Sequence, residues 1–270
     1  MFDPRAFIEF INASNILWNA FMQLIGVISG LTPEDFSASA WAYVVGDVMN
    51  WTLTIGSTML AGFFLINVFR QTSDLRQGIT LERMIEIGIG IILGNYVMLY
   101  GVSLMSIMFE IAGVSSNAAI NNSGLQFAQA DWDLGATLLS FFLALIYLVV
   151  VLVCGISMVF VVYRRYLQLY AIVGLGPIAW STIPGGRGIS ATAVAWLRTF
   201  LTKCFEIVVI ALFITIAGKM CGGINFGQAS DGIATLFDGA AELFQNMLTM
   251  IILAGSVASS EAFLRKTFSL

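Results

Sequence analysis

LGATLLSFFLALIYLVVVLVCGISMVFVVY, residues Leu134–Tyr163, contains no charged side chain and ends on the pair Arg164-Arg165. A helix crosses the roughly 30 Å hydrocarbon core of a bilayer with about 20 apolar residues, so this stretch predicts a transmembrane helix. Residues 43–69, 84–112, 190–219 and 241–263 are likewise long and largely apolar, though each carries one or more charged side chains. The chain is 59% apolar and 10% charged, with a mean hydropathy of +0.90. Soluble domains carry about a quarter charged residues. The five spans leave no space for a separate soluble domain of ordinary size. The predicted fold is all-α and polytopic: about five transmembrane helices in a domain over 32–270, an N-terminal amphipathic helix over 1–31, and a re-entrant or surface-lying segment on the cytoplasmic side.

The cations alternate along the chain. Arg70, Arg76 and Arg83 lie between the first two spans; Arg164, Arg165, Arg187, Arg198 and Lys203 lie between the third and fourth or just inside the fourth; Arg265 and Lys266 follow the fifth. Short loops rich in Lys and Arg stay in the cytoplasm. The pattern predicts a multi-pass membrane protein with residues 31–42 outside, the C-terminus cytoplasmic and the N-terminus extracytoplasmic. The acids Asp131, Asp133, Asp231 and Asp238 then lie on the outer side, so the net charge of −4 does not signal a cationic partner.

Three cysteines and no histidine remove His triads, His metal sites and imidazole relays from this chain. Cys154 and Cys204 fall within spans, where a thiol usually serves as a small packing group, and Cys221 alone gives no disulfide framework. No enzymatic activity, catalytic residue, metal site or cofactor is expected; structural lipids are compatible with the composition.

The N-terminal segment does not read as a cleaved signal, having only Arg5 as a cation and repeated amides. Asn12, Asn15, Asn19 and Gln23 recur every three or four residues and so form one polar stripe on a helix. A helix of this kind lies in the membrane interface, the favoured reading; a sixth span with its amides facing other helices is the alternative. Thr32-Pro33-Glu34-Asp35 ends it as a turn.

Charges within spans imply function only when depth requires it. Glu86 and Glu110 are separated by about 36 Å of helix at ~1.5 Å per residue, so both reach membrane edges. Asp47 also reads as an edge residue. Lys203 and Glu206 differ, because Glu206 lies about 12 Å inward of Arg198 and Lys203 shares its helix face. They form either a self-satisfied intramembrane pair or one wall of an aqueous pathway. Gly90 with Gly94 and Ser57 with Ala61 have the small-xxx-small spacing of close helix contacts.

The most distinctive segment is 163–187. Tyr163, Tyr166 and Tyr170 surround Arg164 and Arg165, and Gly174, Gly176, Pro177 and Trp180 follow before Pro184-Gly185-Gly186-Arg187 breaks the chain. An apolar stretch of about 15 residues is too short to cross twice, which makes it a re-entrant turn or an ordinary amphipathic connector. Arg165, Leu169 and Tyr170-Ala171, leading to Gly-Pro-Ile-Ala at 176–179, resemble the central motif of TrbL-type proteins, polytopic inner-membrane components of conjugative type IV secretion systems. Met1-Phe2-Asp3-Pro4, the span layout and Phe263-Leu264-Arg265-Lys266 are similar to the compact members from Gram-positive mobile elements.

That resemblance implies a non-enzymatic scaffold or channel subunit that assists transfer of DNA, often with relaxase, across the cytoplasmic membrane. It implies a homo-oligomeric ring with a secretion ATPase, small membrane subunits, translocated DNA and membrane lipids as partners. No phosphate-binding Gly-x-x-x-x-Gly-Lys loop is present, so energy comes from elsewhere. Arg164, Arg165, Arg187 and Arg198 are candidates for a cytoplasmic basic collar or docking surface toward polyanionic DNA, or are simply topological anchors. The rival function is a stand-alone secondary transporter or ion channel built on Lys203 and Glu206; a pore-less, lipid-binding assembly factor is a third.

Overall fold

The computed structural model describes residues 4–72, 81–120, 126–127, 138–186, 188–221 and 234–267. Every regular element among them is helical, and the fold is that of an all-α polytopic membrane protein. Helix α1 spans Pro4–Ser29, and two short helices follow, α2 at Pro33–Phe36 and α3 at Ala38–Tyr43. A π-turn at Val44–Val48 leads into α4, Met49–Thr72; then come α5, Leu81–Ile120, and α6, Leu138–Gly174. After α7, Gly176–Trp180, and a 3-10 turn at Ile183–Gly185, the chain continues as α8, Ala191–Cys221, α9, Ala234–Ala258, and α10, Ser260–Thr267. The turn expected at 32–35 starts α2: Thr32 Oγ1 accepts from the Asp35 backbone N–H at 3.2 Å, and Pro33 occupies the first helical position.

Five described segments are long and apolar enough to cross a membrane: Ile8–Ser29, Ala38–Thr72, Met84–Ile120, Phe142–Gly174 and Ala191–Met220. Two departures from the expected spans stand out. The N-terminal helix is one of the five. Its buried stripe is Ile11, Trp18, Met22 and Ile25, while Ile16, Leu24 and Val27 point outward. An apolar outward face suits lipid contact along the helix, and it favours the spanning alternative over a helix with its amides in water.

The last expected span, 241–263, is not straight. Leu243–Ala258 and Ser260–Thr267 meet at 53°. Ser256 Oγ donates to the Ile252 carbonyl at 2.8 Å and Ser259 Oγ to the Ser256 carbonyl at 3.0 Å. Hydroxyls that bond back to their own helix carbonyls are a recognised cause of helix bending.

The chain forms two compact units. The first comprises Met1–Gly30, Gly113–Arg164 and Glu206–Lys266. Its α6 portion buries Ala144, Tyr147, Val151, Cys154, Met158 and Val162, alternating three and four residues apart as an apolar seam does. On α9 the seam is Leu243, Met247, Met250, Leu253 and Val257. Gly155 leaves space for the Phe21 ring, and Thr215 Oγ1 donates to the Ala119 carbonyl at 2.8 Å. The outward faces, such as Val149, Val153 and Phe160 on α6, are apolar and exposed. Such faces would be a solubility liability in water and are the ordinary condition in lipid.

The second unit comprises Leu31–Ala112, Arg165–Phe205 and Thr267–Leu270. A chain of aromatic rings forms much of its core. Trp180 meets Trp196 edge-on at 5.4 Å; Trp196 stacks on Phe200 at 5.3 Å; Phe200 touches Phe109 at 5.4 Å; and Phe109 meets Trp41 at 6.1 Å. Offset and edge-on rings of this kind add about 0.5–1.5 kcal/mol per pair beyond burial.

This unit has two ends, and they group residues differently from the charge pattern. At one, the Tyr166 hydroxyl donates to the Leu31 carbonyl at 2.8 Å, the Tyr170 hydroxyl donates to the Pro33 carbonyl at 2.7 Å, and Phe36 stacks on Tyr166 at 4.0 Å. Arg165 is at this end too, bonded to α8, whose Cys204 Sγ lies 3.3 Å from the Met108 carbonyl of α5. At the other end, Arg70 and Glu86 line a common cavity. Met108 and Glu86 are separated by about 33 Å of α5 at ~1.5 Å per residue, roughly one hydrocarbon core. Residues 31–36 and Arg165 therefore lie at one end of the unit and Arg70 at the other, whereas the charge pattern alone groups Arg70 with Arg165. The physical reason is burial: Arg165 is 3% exposed and Lys203 is 3% exposed, so neither is the loop cation that the positive-inside rule counts.

Candidate functional site

Helix α6 runs through Arg164-Arg165 without a break, and the re-entrant segment begins only after Gly174. From there to Gly186 the chain makes a buried elbow against α4 and α5. Gly176, Pro177, Ala179, Trp180, Pro184 and Gly185 are all buried. Backbone that leaves the helix at membrane depth must find partners within the protein, and this elbow does. The Ser181 amide donates to the Pro177 carbonyl at 3.1 Å, and the Gly185 amide to the Thr182 carbonyl at 3.1 Å. Ser181 Oγ and Thr182 Oγ1 bond to the carbonyls of Ile178 and Ala179 at 2.6 and 2.7 Å. Trp196 Nε1 donates to the Ile172 carbonyl at 3.0 Å, and Asn67 Nδ2 to the Pro184 carbonyl at 2.8 Å.

Small residues let the elbow approach. A Cβ on Gly56 would lie 2.6 Å from the Pro177 carbonyl oxygen, one on Gly101 would enter the Trp180 ring, and one on Gly174 would lie 2.9 Å from Val48 Cγ1. Gly90 and Gly94, expected to mediate close helix contact, face Pro184. Gly186 has φ +71°, in the left-handed region, and an added Cβ would lie 2.5 Å from Asn67 Oδ1.

Beside the elbow lie two cavities. One, of about 530 Å³, has a mixed wall, with Asn67, Arg70, Gln71, Glu86, Ser190 and the Pro184–Gly186 backbone beside the apolar Ile89, Leu93 and Ile183. Asn67 is buried, and its Oδ1 accepts from Gln71 Nε2 at 3.2 Å while its Nδ2 holds Pro184. Gln71 Oε1 is buried without a hydrogen-bond partner among the described residues. The other cavity, of about 430 Å³, is almost wholly apolar and lies between α5 and α8 with Trp180 in its wall. Leu93, Ile183 and Ser190 border both.

The expected site residues are distributed elsewhere or differently. Arg165 leaves the basic collar: its Nε donates to the Lys203 carbonyl at 2.9 Å, one terminal nitrogen donates to the Cys204 carbonyl at 3.1 Å, and its guanidinium lies 5.0 Å from the Tyr166 ring centre. Arg164 is exposed and lies 3.8 Å from Glu261, which also pairs with Arg265 at 2.9 Å. Arg198 is exposed, and Arg187 falls outside the described residues. Lys203 and Glu206 are both buried, at 3% and 4% exposure, and the Glu206 carboxylate accepts from Ser260 Oγ at 3.3 Å. Of the N-terminal stripe, Asn15 is buried and receives the Tyr147 hydroxyl, Asn19 exchanges two hydrogen bonds with the Phe127 backbone at 3.0 and 3.1 Å, and Gln23 is exposed.

Sequence reading missed the cavity residues Asn67, Gln71, Arg70 and Glu86 as a group. Asn67 and Gln71 stand one helical turn apart at the end of an apolar span, a usable signal, but Glu86 comes from the next helix and its proximity is visible only in the fold. Among the described residues there is no group of three or more His, Cys, Asp or Glu side chains able to hold a metal ion. No protein-family model matches the chain, and neither a curated protein nor a solved structure matches it.

Proposed function

We propose that this chain is a non-enzymatic membrane subunit of a conjugative type IV secretion machine, acting as scaffold or channel during DNA transfer across the bacterial cytoplasmic membrane. One observation carries the reading: the segment that resembles the TrbL-type motif, from Arg165 to Gly-Pro-Ile-Ala at 176–179, runs from the buried end of α6 into the elbow against which α4, α5 and α8 pack. A motif that organises the helices, rather than decorating a loop, is what a shared membrane scaffold requires. Extensive apolar outward faces leave room for lipid and for further copies in a homo-oligomeric ring. A secretion ATPase would supply the energy.

Deleting the gene and scoring DNA transfer tests the role: transfer should fall to background and return on complementation. Unchanged transfer from a host carrying the conjugative element would sink the proposal. Strictly monomeric protein in both mild detergent and lipid would remove the ring.

A second reading, a stand-alone transporter or ion channel, draws support from the buried Lys203 and Glu206. Solute flux by the purified protein in liposomes, lost in Glu206→Ala with assembly intact, would favour it over secretion.

A further inference from the structure

The two cavities beside the elbow have complementary chemistry, and they share a border. In the mixed one Arg70 and Glu86 both line the cavity without forming an ion pair with each other among the described residues. Opposite charges that share a small cavity at a membrane edge, yet remain apart, suit a guest carrying both signs. Gln71 Oε1 adds a buried acceptor that finds no donor among the described residues, and leaving such an atom without a donor is costly. The guest should therefore bring N–H or O–H groups as well as an anion.

Past Leu93 and Ile183 the surroundings become apolar. The second cavity follows α5 from Leu93 to Met108, with Trp180, Trp196 and Phe200 among its walls. That is about 22 Å of helix at ~1.5 Å per residue, longer than one leaflet, roughly half of a 30 Å core. Two cavities that follow one another along α5 and share Leu93, Ile183 and Ser190 as a border, one carrying charges and one apolar, suit one amphipathic molecule.

We propose that this bipartite cavity binds a single zwitterionic, amine-bearing phospholipid, a phosphatidylethanolamine. Its phosphate pairs with Arg70, its ammonium with Glu86 and Gln71 Oε1, and one acyl chain lies in the groove between α5 and α8. A phosphatidylcholine offers the same charges but no N–H donor. A phosphatidylglycerol offers hydroxyl donors but no cation for Glu86.

Native mass spectrometry of the full chain, delipidated and then given dioleoyl phosphatidylethanolamine, phosphatidylcholine or phosphatidylglycerol, tests this directly. One phosphatidylethanolamine per chain should be retained, about tenfold more strongly than either competitor, as expected for a charge-assisted hydrogen bond. Arg70→Gln should weaken retention of all three. Glu86→Gln should bring phosphatidylethanolamine down to the level of phosphatidylcholine. Equal retention of the three lipids by the unaltered protein overturns the proposal, and that comparison requires no variant to fold. A photo-crosslinker at Ala193, in the groove wall, should capture lipid; capture of a second copy of the chain instead overturns it.

Discussion

Arg165 enters the interface between α6 and α8 and gives two donors to consecutive carbonyls of one helix turn, Lys203 and Cys204. The planar guanidinium makes this fork possible; an ammonium is a point donor on a shorter reach. Arg165→Lys keeps the charge but loses one charge-assisted bond, and should destabilise the fold by about 1.5–3 kcal/mol, read as a lowered unfolding midpoint in mixed micelles. A midpoint equal to that of the unaltered protein would show that the fork carries no stability. Gly186 and Gly188 give a matched pair at the same scale. Both have positive φ, 71° and 95°, but only Gly186 has a neighbour, Asn67, where a Cβ would go. Alanine at either position adds left-handed strain of about 1–2 kcal/mol. Gly186→Ala should also displace Asn67 from Pro184, and so should lower the midpoint clearly further than Gly188→Ala. Equal effects would mean that strain alone matters.

Among the elements, the elbow depends on close approach. Gly101→Ala drives a methyl into the Trp180 ring, an overpacking that typically costs about 1–3 kcal/mol. Gly62→Ala has nothing within 4 Å to meet, and should be neutral or gain up to about 1 kcal/mol of helix propensity. Thermal unfolding of the two variants in detergent checks both signs, and a stabilised Gly101→Ala would mean that Trp180 has another place to go. The same elements show what could be read before the fold was known. Four of the five long apolar segments and the interruption at Pro184–Gly186 were legible because bilayer thickness sets helix length, and Gly and Pro interrupt helices wherever they occur. The burial of Arg165 and the bend at Ser259 were not. A cation beside an apolar run looks the same in sequence whether it ends the helix or is enclosed by another one. Serines that bend a helix look the same as serines that pack within it.

For the molecule in its membrane, burial of the apparent loop cations revises which parts share a face. The second unit holds Leu31–Phe36 beside Tyr166 and Tyr170 at one end, with Arg70 and Glu86 at the other. The intervening stretch of α5 is about 33 Å at ~1.5 Å per residue, so if this unit spans the bilayer its ends open to opposite compartments. Arg70 is followed in the sequence by Arg76 and Arg83, and under the positive-inside rule such a cation-rich connection faces the cytoplasm. The expected outcome is opposite labelling of single cysteines introduced at Glu34 and Thr72, in a chain whose three native cysteines are replaced by alanine. A membrane-impermeant maleimide added to intact cells should label Glu34→Cys, and Thr72→Cys should react only after permeabilisation. Labelling of both from outside would place the two ends in one compartment, and the second unit would then lie along the membrane or outside it. The reverse pattern would keep the unit spanning but invert it, leaving Arg70 and Arg83 as cations retained on the outer face against the usual bias.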